Sequence, residues 1–249
     1  MKNNYEKMKR NFHDNGFVVI RKLISKKQIK KILEEIPKIL NKATKIKDKK
    51  TFHRTKDGKI NTIHNINKFY KKGYINKTIT KKISTIAEKI LTKKVKLRNI
   101  EFFLKPKKTG MISPFHQDNY YWNIINSEAC NCWLSCTKSN KKNGGMCYYE
   151  SSNMLGTIKH EVSLAPGSSQ KIPLKILKKL KFNKVFPSLN VGDCIIHHPE
   201  VIHGSYENKS NLDRIGLVSS FKTVNARMDR EGLKRYKRNL SKNIKKIYK

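Results

Sequence analysis

The sequence predicts an α+β chain, mainly β in its core: helices first, then an antiparallel sandwich or barrel. Three observations carry this. Apolar residues recur at helical spacing in two early segments. From about residue 95 the apolar runs become short and are separated by Gly, Pro and Asn turn signals. The chain has 249 residues, enough for one substantial core, and carries no internal repeat or linker that would divide it.

The elements follow in order. Asp14-Asn15-Gly16 is a turn, and Phe17-Val18-Val19-Ile20 reads as a short strand. Ser25 and Gln28 are spaced as a capping box. Behind them Ile29, Ile32, Leu33, Ile36, Ile39 and Leu40 form one helical stripe, which Pro37 should kink or end. Residues 41–62 are polar and Lys-rich and are expected to cross the surface as a loop. A second helix is expected near 78–92, with Ile79, Ile83, Ile86, Ala87, Ile90 and Leu91 on one face. Strand-like runs follow at 95–104, 111–116, 129–137, 145–150, 191–197 and 213–221. Residues 154–190 interrupt them as a long insertion, the usual place for a lid or substrate loop. The expected organisation is one domain over 1–249: a mainly helical part (1–94), a β-barrel core (95–222) with the insertion, and a basic C-terminal helix (223–249).

Lys and Arg number 56 against 18 acidic residues, a net charge of +38. That much charge invites a nucleic-acid reading. The residue types argue against it. Of the basic residues 47 are Lys and 9 are Arg, beside 28 Ile, 24 Asn and 5 Ala, the signature of AT-rich codons. Readers of nucleic acid favour Arg for its bidentate contacts, and here the lysines are spread along the whole chain. Solvated lysine faces are therefore the expected reading, and nucleic acid is an unlikely partner. The rivals are a non-catalytic basic binding protein on the same barrel, or an enzyme acting on a polymer. No apolar run reaches the roughly 18–20 residues of a membrane span. The basic start has no apolar stretch behind it, so a soluble cytoplasmic protein is expected. Cys130, Cys132 and Cys136 alternate with Asn131, Trp133 and Ser135, which fits reduced cysteines on the buried face of a strand.

Two constellations carry chemistry. His116-Gln117-Asp118 would place an imidazole and a carboxylate on one face of a strand. Those are two ligands of a facial triad of two histidines and one carboxylate, which leaves metal positions open. The second is Gly192-Asp193-Cys194-Ile195-Ile196-His197-His198-Pro199-Glu200-Val201-Ile202-His203-Gly204-Ser205, followed eleven residues after His203 by Arg214. His197, His198 and His203 compete for the third ligand. His203 is favoured by Gly204, by the Ser205 hydroxyl and by Arg214, whose fork suits a carboxylate. Tyr120, Tyr121 and Trp122 follow the first pair and could either pack or wall a substrate. His13, His53, His160, His197 and His198 read as ordinary satisfied polar residues.

Together these segments resemble the phytanoyl-CoA dioxygenase family of Fe(II)/2-oxoglutarate-dependent oxygenases. The likeness rests on His116-Gln117-Asp118, His203-Gly204-Ser205 and Arg214, with Trp133, Asn143-Gly144-Gly145 and the early strand Phe17–Ile20. It runs over roughly 14–222. It implies a double-stranded β-helix, the jelly-roll barrel of the cupins, with flanking helices. It implies that His116, Asp118 and His203 hold Fe(II), and that Arg214 and Ser205 bind 2-oxoglutarate, with Trp133 lining that site. Glu101 is implied as a further cosubstrate contact, and His64, Tyr120, Tyr121 and Trp122 as substrate contacts. The implied activity is a dioxygenase reaction with O2, most simply hydroxylation of a small organic molecule with release of succinate and CO2. Related halogenases lack the carboxylate ligand, so Asp118 favours hydroxylation. Asn153 stands where the family carries a histidine.

Overall fold

The computed structural model describes residues 2–46, 51–165 and 167–247. Its strands are β1 (Phe17–Ile20), β2 (Phe52–Arg54), β3 (Ile60–Ile63), β4 (Val95–Lys105), β5 (Ser113–His116), β6 (Ala129–Ser135), β7 (Met146–Tyr149), β8 (Glu161–Ala165), β9 (Ser168–Lys171), β10 (Lys184–Val185), β11 (Cys194–His197), β12 (His203–Ser205) and β13 (Arg214–Thr223). Two antiparallel sheets enclose the core. The larger has the order β1-β11-β6-β13-β4-β3-β2, and the smaller β10-β7-β12-β5. A separate hairpin, β8-β9, lies within the insertion.

Strand alternation divides the large sheet into two chemically different faces. Cys130, Cys132, Leu134, Cys194, Ile196, Leu217, Phe221, Ile100 and Phe102 point outward and are buried. They meet Phe12, Ile29, Ile32, Ile39, Ile83, Ala87 and Ile90 from the flanking helices in one apolar cluster. Each such side chain stabilises the fold by about 1.5–3 kcal/mol relative to exposure. The five cysteines are free and buried, as the alternation predicted for Cys130, Cys132 and Cys136. The inner face is polar at one level and, Glu101 apart, apolar at the next. His197, Asn131, Ser220 and Asn99 are neighbours in register, as are Ile195, Trp133, Val218 and Glu101. Phe17, Trp133, Tyr148, Ile195 and Val218 fill the space between the sheets. Phe17 of the large sheet stacks on Tyr148 of the small one at 4.5 Å.

The helix Lys26–Ala43 starts at the expected capping box of Ser25 and Gln28. It does not end at Pro37 but runs six residues further, because Ile39 and Ala43 remain fully buried on its stripe. The segment 41–62 also differs from the expected loop. β2 and β3 lie there as a hairpin added to the edge of the large sheet, turning at Asp57-Gly58. Residues 47–50 of that segment lie outside the described residues. The helix Lys2–Asp14 was not anticipated, since Phe12 is its one fully buried apolar anchor among the side chains described. The tail forms the expected helix, Arg230–Ile247. No helix among the described residues is long and apolar enough to cross a membrane.

Asp193 fixes the junction between β1 and β11. One carboxylate oxygen accepts the Lys22 backbone N–H at 2.8 Å. The other accepts Arg21 at 2.8 Å and the Asn190 backbone N–H at 2.9 Å. Removing the carboxylate leaves two backbone donors without their acceptor. Asp193→Ala should therefore cost about 2–4 kcal/mol in urea unfolding. A loss below about 0.5 kcal/mol, the scale of an ordinary surface change, would remove this turn from the fold's supports.

Candidate active site

The small sheet sets the first two side chains. Tyr148, His203 and His116 are neighbours in register across β7, β12 and β5. The two imidazoles lie with ring centroids 4.4 Å apart. β5 ends at His116, and Asp118 opens a short helix, Asp118–Trp122, rather than continuing the strand as expected. The pair still faces one way because Gln117 between them is extended, at φ −120° and ψ 132°. Gln117 points away and is fully buried. Its amide donates to Gly156 O (2.7 Å) and Glu200 O (2.6 Å) and accepts from Ile158 N (2.8 Å). The result is a cluster in which one donor atom each of His116, Asp118 and His203 lies within 4.8 Å of the others.

The hydrogen bonds leave the right atoms free. His116 Nδ1 donates to Pro114 O at 2.7 Å, and His203 Nδ1 to Val201 O at 3.0 Å. Both Nε2 lone pairs then face inward. Asp118 Oδ2 accepts from Asn131 Nδ2 (2.8 Å) and His197 Nε2 (3.2 Å). Oδ1 is turned toward His116 and His203, at 3.7 and 3.9 Å. Burial, reinforced by the neighbouring imidazole, pushes His116 and His203 down to about 4. Burial alone would raise the Asp118 carboxyl. Its interactions with His203, His197 and His116 outweigh it and hold the group well below the carboxylate range. Two neutral imidazoles and a carboxylate are thus ready at neutral pH, and this donor set fits a divalent first-row metal with open positions.

His197 is satisfied and buried, as its ordinary reading required, but one of its partners is Asp118 itself. With Nε2–H donating there, Nδ1 accepts the Tyr148 hydroxyl at 3.0 Å. Sequence reasoning missed this positioning role. The signal was its place on β11, facing the same way as Ile195 and opposite Asn131. His160 is likewise structural and accepts the Gln117 backbone N–H at 3.0 Å.

The far end of the same cavity is built around Arg214, which is 1% exposed. Its Nη2 donates to Gly144 O at 2.8 Å, and its guanidinium sits 5.2 Å from the Trp133 ring. Gly216 makes that placement possible, since a Cβ there would fall 2.2 Å from the indole. Arg214 Nε and Nη1 and the Ser205 hydroxyl are buried and have no partner among the described residues. Burial lowers the Arg214 pKa to about 9, so it remains cationic at neutral pH. Such a group fits an incoming carboxylate. Lys105 pairs with Arg214 in register, and its buried ammonium donates to the carbonyls of Ser205 and Tyr206. Burial and the neighbouring Arg214 push its pKa well below the ordinary lysine value, and its place here was not anticipated.

The cavity holds about 600 Å³ and reaches from Arg214 past the triad. Glu101 and His64 stand together on its wall, His64 Nδ1 to Glu101 Oε1 at 2.8 Å. Tyr121 and Trp122 line it. Tyr120 does not: its ring stacks on His160 at 4.1 Å, outside the cavity. The hairpin β8-β9 contributes Ala165, Gly167, Ser168 and Ser169 to the wall, and the C-terminal helix contributes Tyr236.

This fold and donor set define a class, and the comparisons agree with it. The sequence pattern of the family described as phytanoyl-CoA dioxygenase (PhyH) matches residues 12–216, and the chain belongs to that family. No curated protein matches it in sequence. Solved structures similar to it include the epimerase SnoN in complex with Fe3+, alpha ketoglutarate and nogalamycin RO. That likeness has 15% identity and a TM-score of 0.74, over 95% of this chain and 90% of that one. EctD from S. alaskensis, with 2-oxoglutarate and 5-hydroxyectoine, matches at 16% identity and a TM-score of 0.73, over 90% of this chain and 77% of that one. The non-heme alpha ketoglutarate dependent carbocyclase SnoK from nogalamycin biosynthesis matches at 15% and 0.72, over 90% and 85%. At these identities the likeness is one of fold: the double-stranded β-helix.

Two predictions follow from the geometry. Metal binding needs deprotonated ligands, so protons compete only as the pH approaches the depressed histidine values. Zn(II) affinity measured by calorimetry should stay nearly flat from pH 8 to 6 and fall toward pH 4. A fall beginning at pH 6.5 would mean that the histidines are not pre-deprotonated by burial. His197→Phe removes a hydrogen bond that orients Asp118 while keeping a ring, and should weaken metal binding by about 10–100-fold. Unchanged affinity would end the positioning role.

Proposed function

We propose that the chain is an oxidoreductase that binds Fe(II) through His116, Asp118 and His203 and uses 2-oxoglutarate and O2 to hydroxylate a small organic molecule. The observation that carries this reading is the pairing of two unmet demands in one cavity. A three-residue donor cluster faces inward, and a buried arginine with unpartnered donors stands beyond it. A chelating keto acid with a second carboxylate answers both demands. Family membership supports the same cofactors, as do the iron and 2-oxoglutarate bound in the similar structures.

When bound, iron and 2-oxoglutarate supply an oxidant made from dioxygen, with release of succinate and CO2. The chain's own residues do the rest. Arg214 and Ser205 grip the far carboxylate, with the Trp133 ring beside the guanidinium. His197 and Asn131 fix the Asp118 carboxylate so that one oxygen faces the metal position. Glu101, Tyr121, Trp122 and the β8-β9 hairpin wall the remaining space and exclude water. Asp118, which would fill the third ligand position, favours hydroxylation over halogenation. A small substrate is favoured by the cavity volume, which lies in the range of small-ligand sites.

Succinate release, screened against candidate small molecules with Fe(II) and 2-oxoglutarate, tests the proposal. Wild-type protein should release succinate. Asp118→Ala should lower the rate at least 100-fold. Arg214→Ala should weaken 2-oxoglutarate binding at least 10-fold with metal binding retained. Full turnover by Asp118→Ala, or unchanged 2-oxoglutarate affinity in Arg214→Ala, would contradict it.

A further inference from the structure

A second arginine faces the cavity, and it faces it because of a flaw in a strand. On β4 the residues Asn99, Glu101 and Phe103 point inward, whereas Ile100 and Phe102 point to the helices. Continued alternation would turn Arg98 outward, among apolar side chains. The ladder with β13 prevents this. Ser220 pairs with Asn99, but the next residue, Phe221, pairs with Leu97, so β4 carries one extra residue at this point. Such bulges re-aim a side chain. Leu97 takes the place against the helices, and Arg98 turns into the cavity.

There Arg98 is half-buried, with its guanidinium 4.5 Å from the Trp122 ring. Among the described residues no carboxylate lies within 4 Å of it, and no hydrogen bond engages it. The two carboxylates that attract it are already committed: Asp118 to Asn131, His197 and the metal position, Glu101 to His64. Lys222 lies close enough to feel its charge and adds to the local positive field. The neighbouring ring restricts the guanidinium, and both residues line the cavity. In a chain where Lys outnumbers Arg 47 to 9, a rigid fork has been kept at this point.

We propose that Arg98 is the anion-recognition site for the organic substrate, which therefore carries a carboxylate or phosphate apart from the carbon that is oxidised. This rests on the proposed oxygenase function for the word substrate. It assigns the cavity two anion sites of different duty: Arg214 at the cosubstrate end, and Arg98 beside Trp122 on the substrate side.

The test is calorimetry on protein loaded with Zn(II) and 2-oxoglutarate, titrated with benzoate, phenyl phosphate and neutral benzamide. At least one anion should bind 10-fold or more tightly than benzamide, and which one does so separates carboxylate from phosphate. Arg98→Gln should abolish that preference, and Arg98→Lys should keep part of it. A thermal melt checks that each variant is folded, and Arg98→Met replaces Arg98→Gln if the latter is not. Equal binding of benzamide and both anions overturns the proposal, as does an anion preference that survives in Arg98→Gln. Failure of 2-oxoglutarate to bind in the loading step would instead contradict the proposed function. The Arg98 comparison is then read on the Zn(II) protein alone.

Discussion

The division of labour within one carboxylate organises the rest of the site. Asp118 Oδ2 is held by Asn131 and His197, and Oδ1 is left toward the two histidines. Each holder is held in turn: Asn131 Oδ1 accepts the Ser220 hydroxyl at 3.0 Å, and His197 accepts the Tyr148 hydroxyl. These residues come from β6, β11 and β13 of the large sheet and β7 of the small one. The network therefore ties the sheets together at the level where the donor atoms converge. Buried polar groups left half-satisfied are costly, so this level must be built complete or not at all. The apolar level beside it, with Trp133, Ile195 and Val218, supplies the packing that keeps it dry.

Charge is arranged on the opposite principle. Arg214 and Arg98 face the cavity without carboxylate partners among the described residues. A desolvated cation disfavours the empty state and favours any state that brings an anion, so stability is exchanged for binding. The surface charge has a different origin. Most of the +38 is lysine spread along the chain, whereas the arginines in the cavity are placed by a register pair in one case and a bulge in the other. Net charge alone thus says little about the site, and the positions of two guanidinium groups say much.

Much of the fold was legible in the sequence. The strands at 95–105, 129–135, 194–197 and 214–223 follow from apolar periodicity, because one face of each is buried under helices. The hairpin of β2 and β3 was hidden since β2 is only Phe52-His53-Arg54 and β3 sets Asn61 and Thr62 between its two isoleucines, although Asp57-Gly58 marked its turn. The spacing of His116, Asp118, His203 and Arg214 could be read without coordinates, but their convergence could not. It depends on the register between β5 and β12 and on the extended Gln117. His197 could be read only as a rival ligand, and Lys105 and Arg98 not at all, for the same reason. Their roles come from which face they take, and at Arg98 a bulge reverses the face that alternation assigns.

The central claim is that the triad and Arg214 serve one bidentate ligand in one cavity. It is tested most directly by measuring 2-oxoglutarate affinity with and without a bound divalent metal, using Zn(II) in place of iron. A ligand that spans both sites must bind more tightly when the metal is present, and the metal must bind more tightly by the same factor when 2-oxoglutarate is present. The account predicts a reciprocal gain of at least 10-fold that is lost in Asp118→Ala. Equal 2-oxoglutarate affinity in the presence and absence of metal would contradict it.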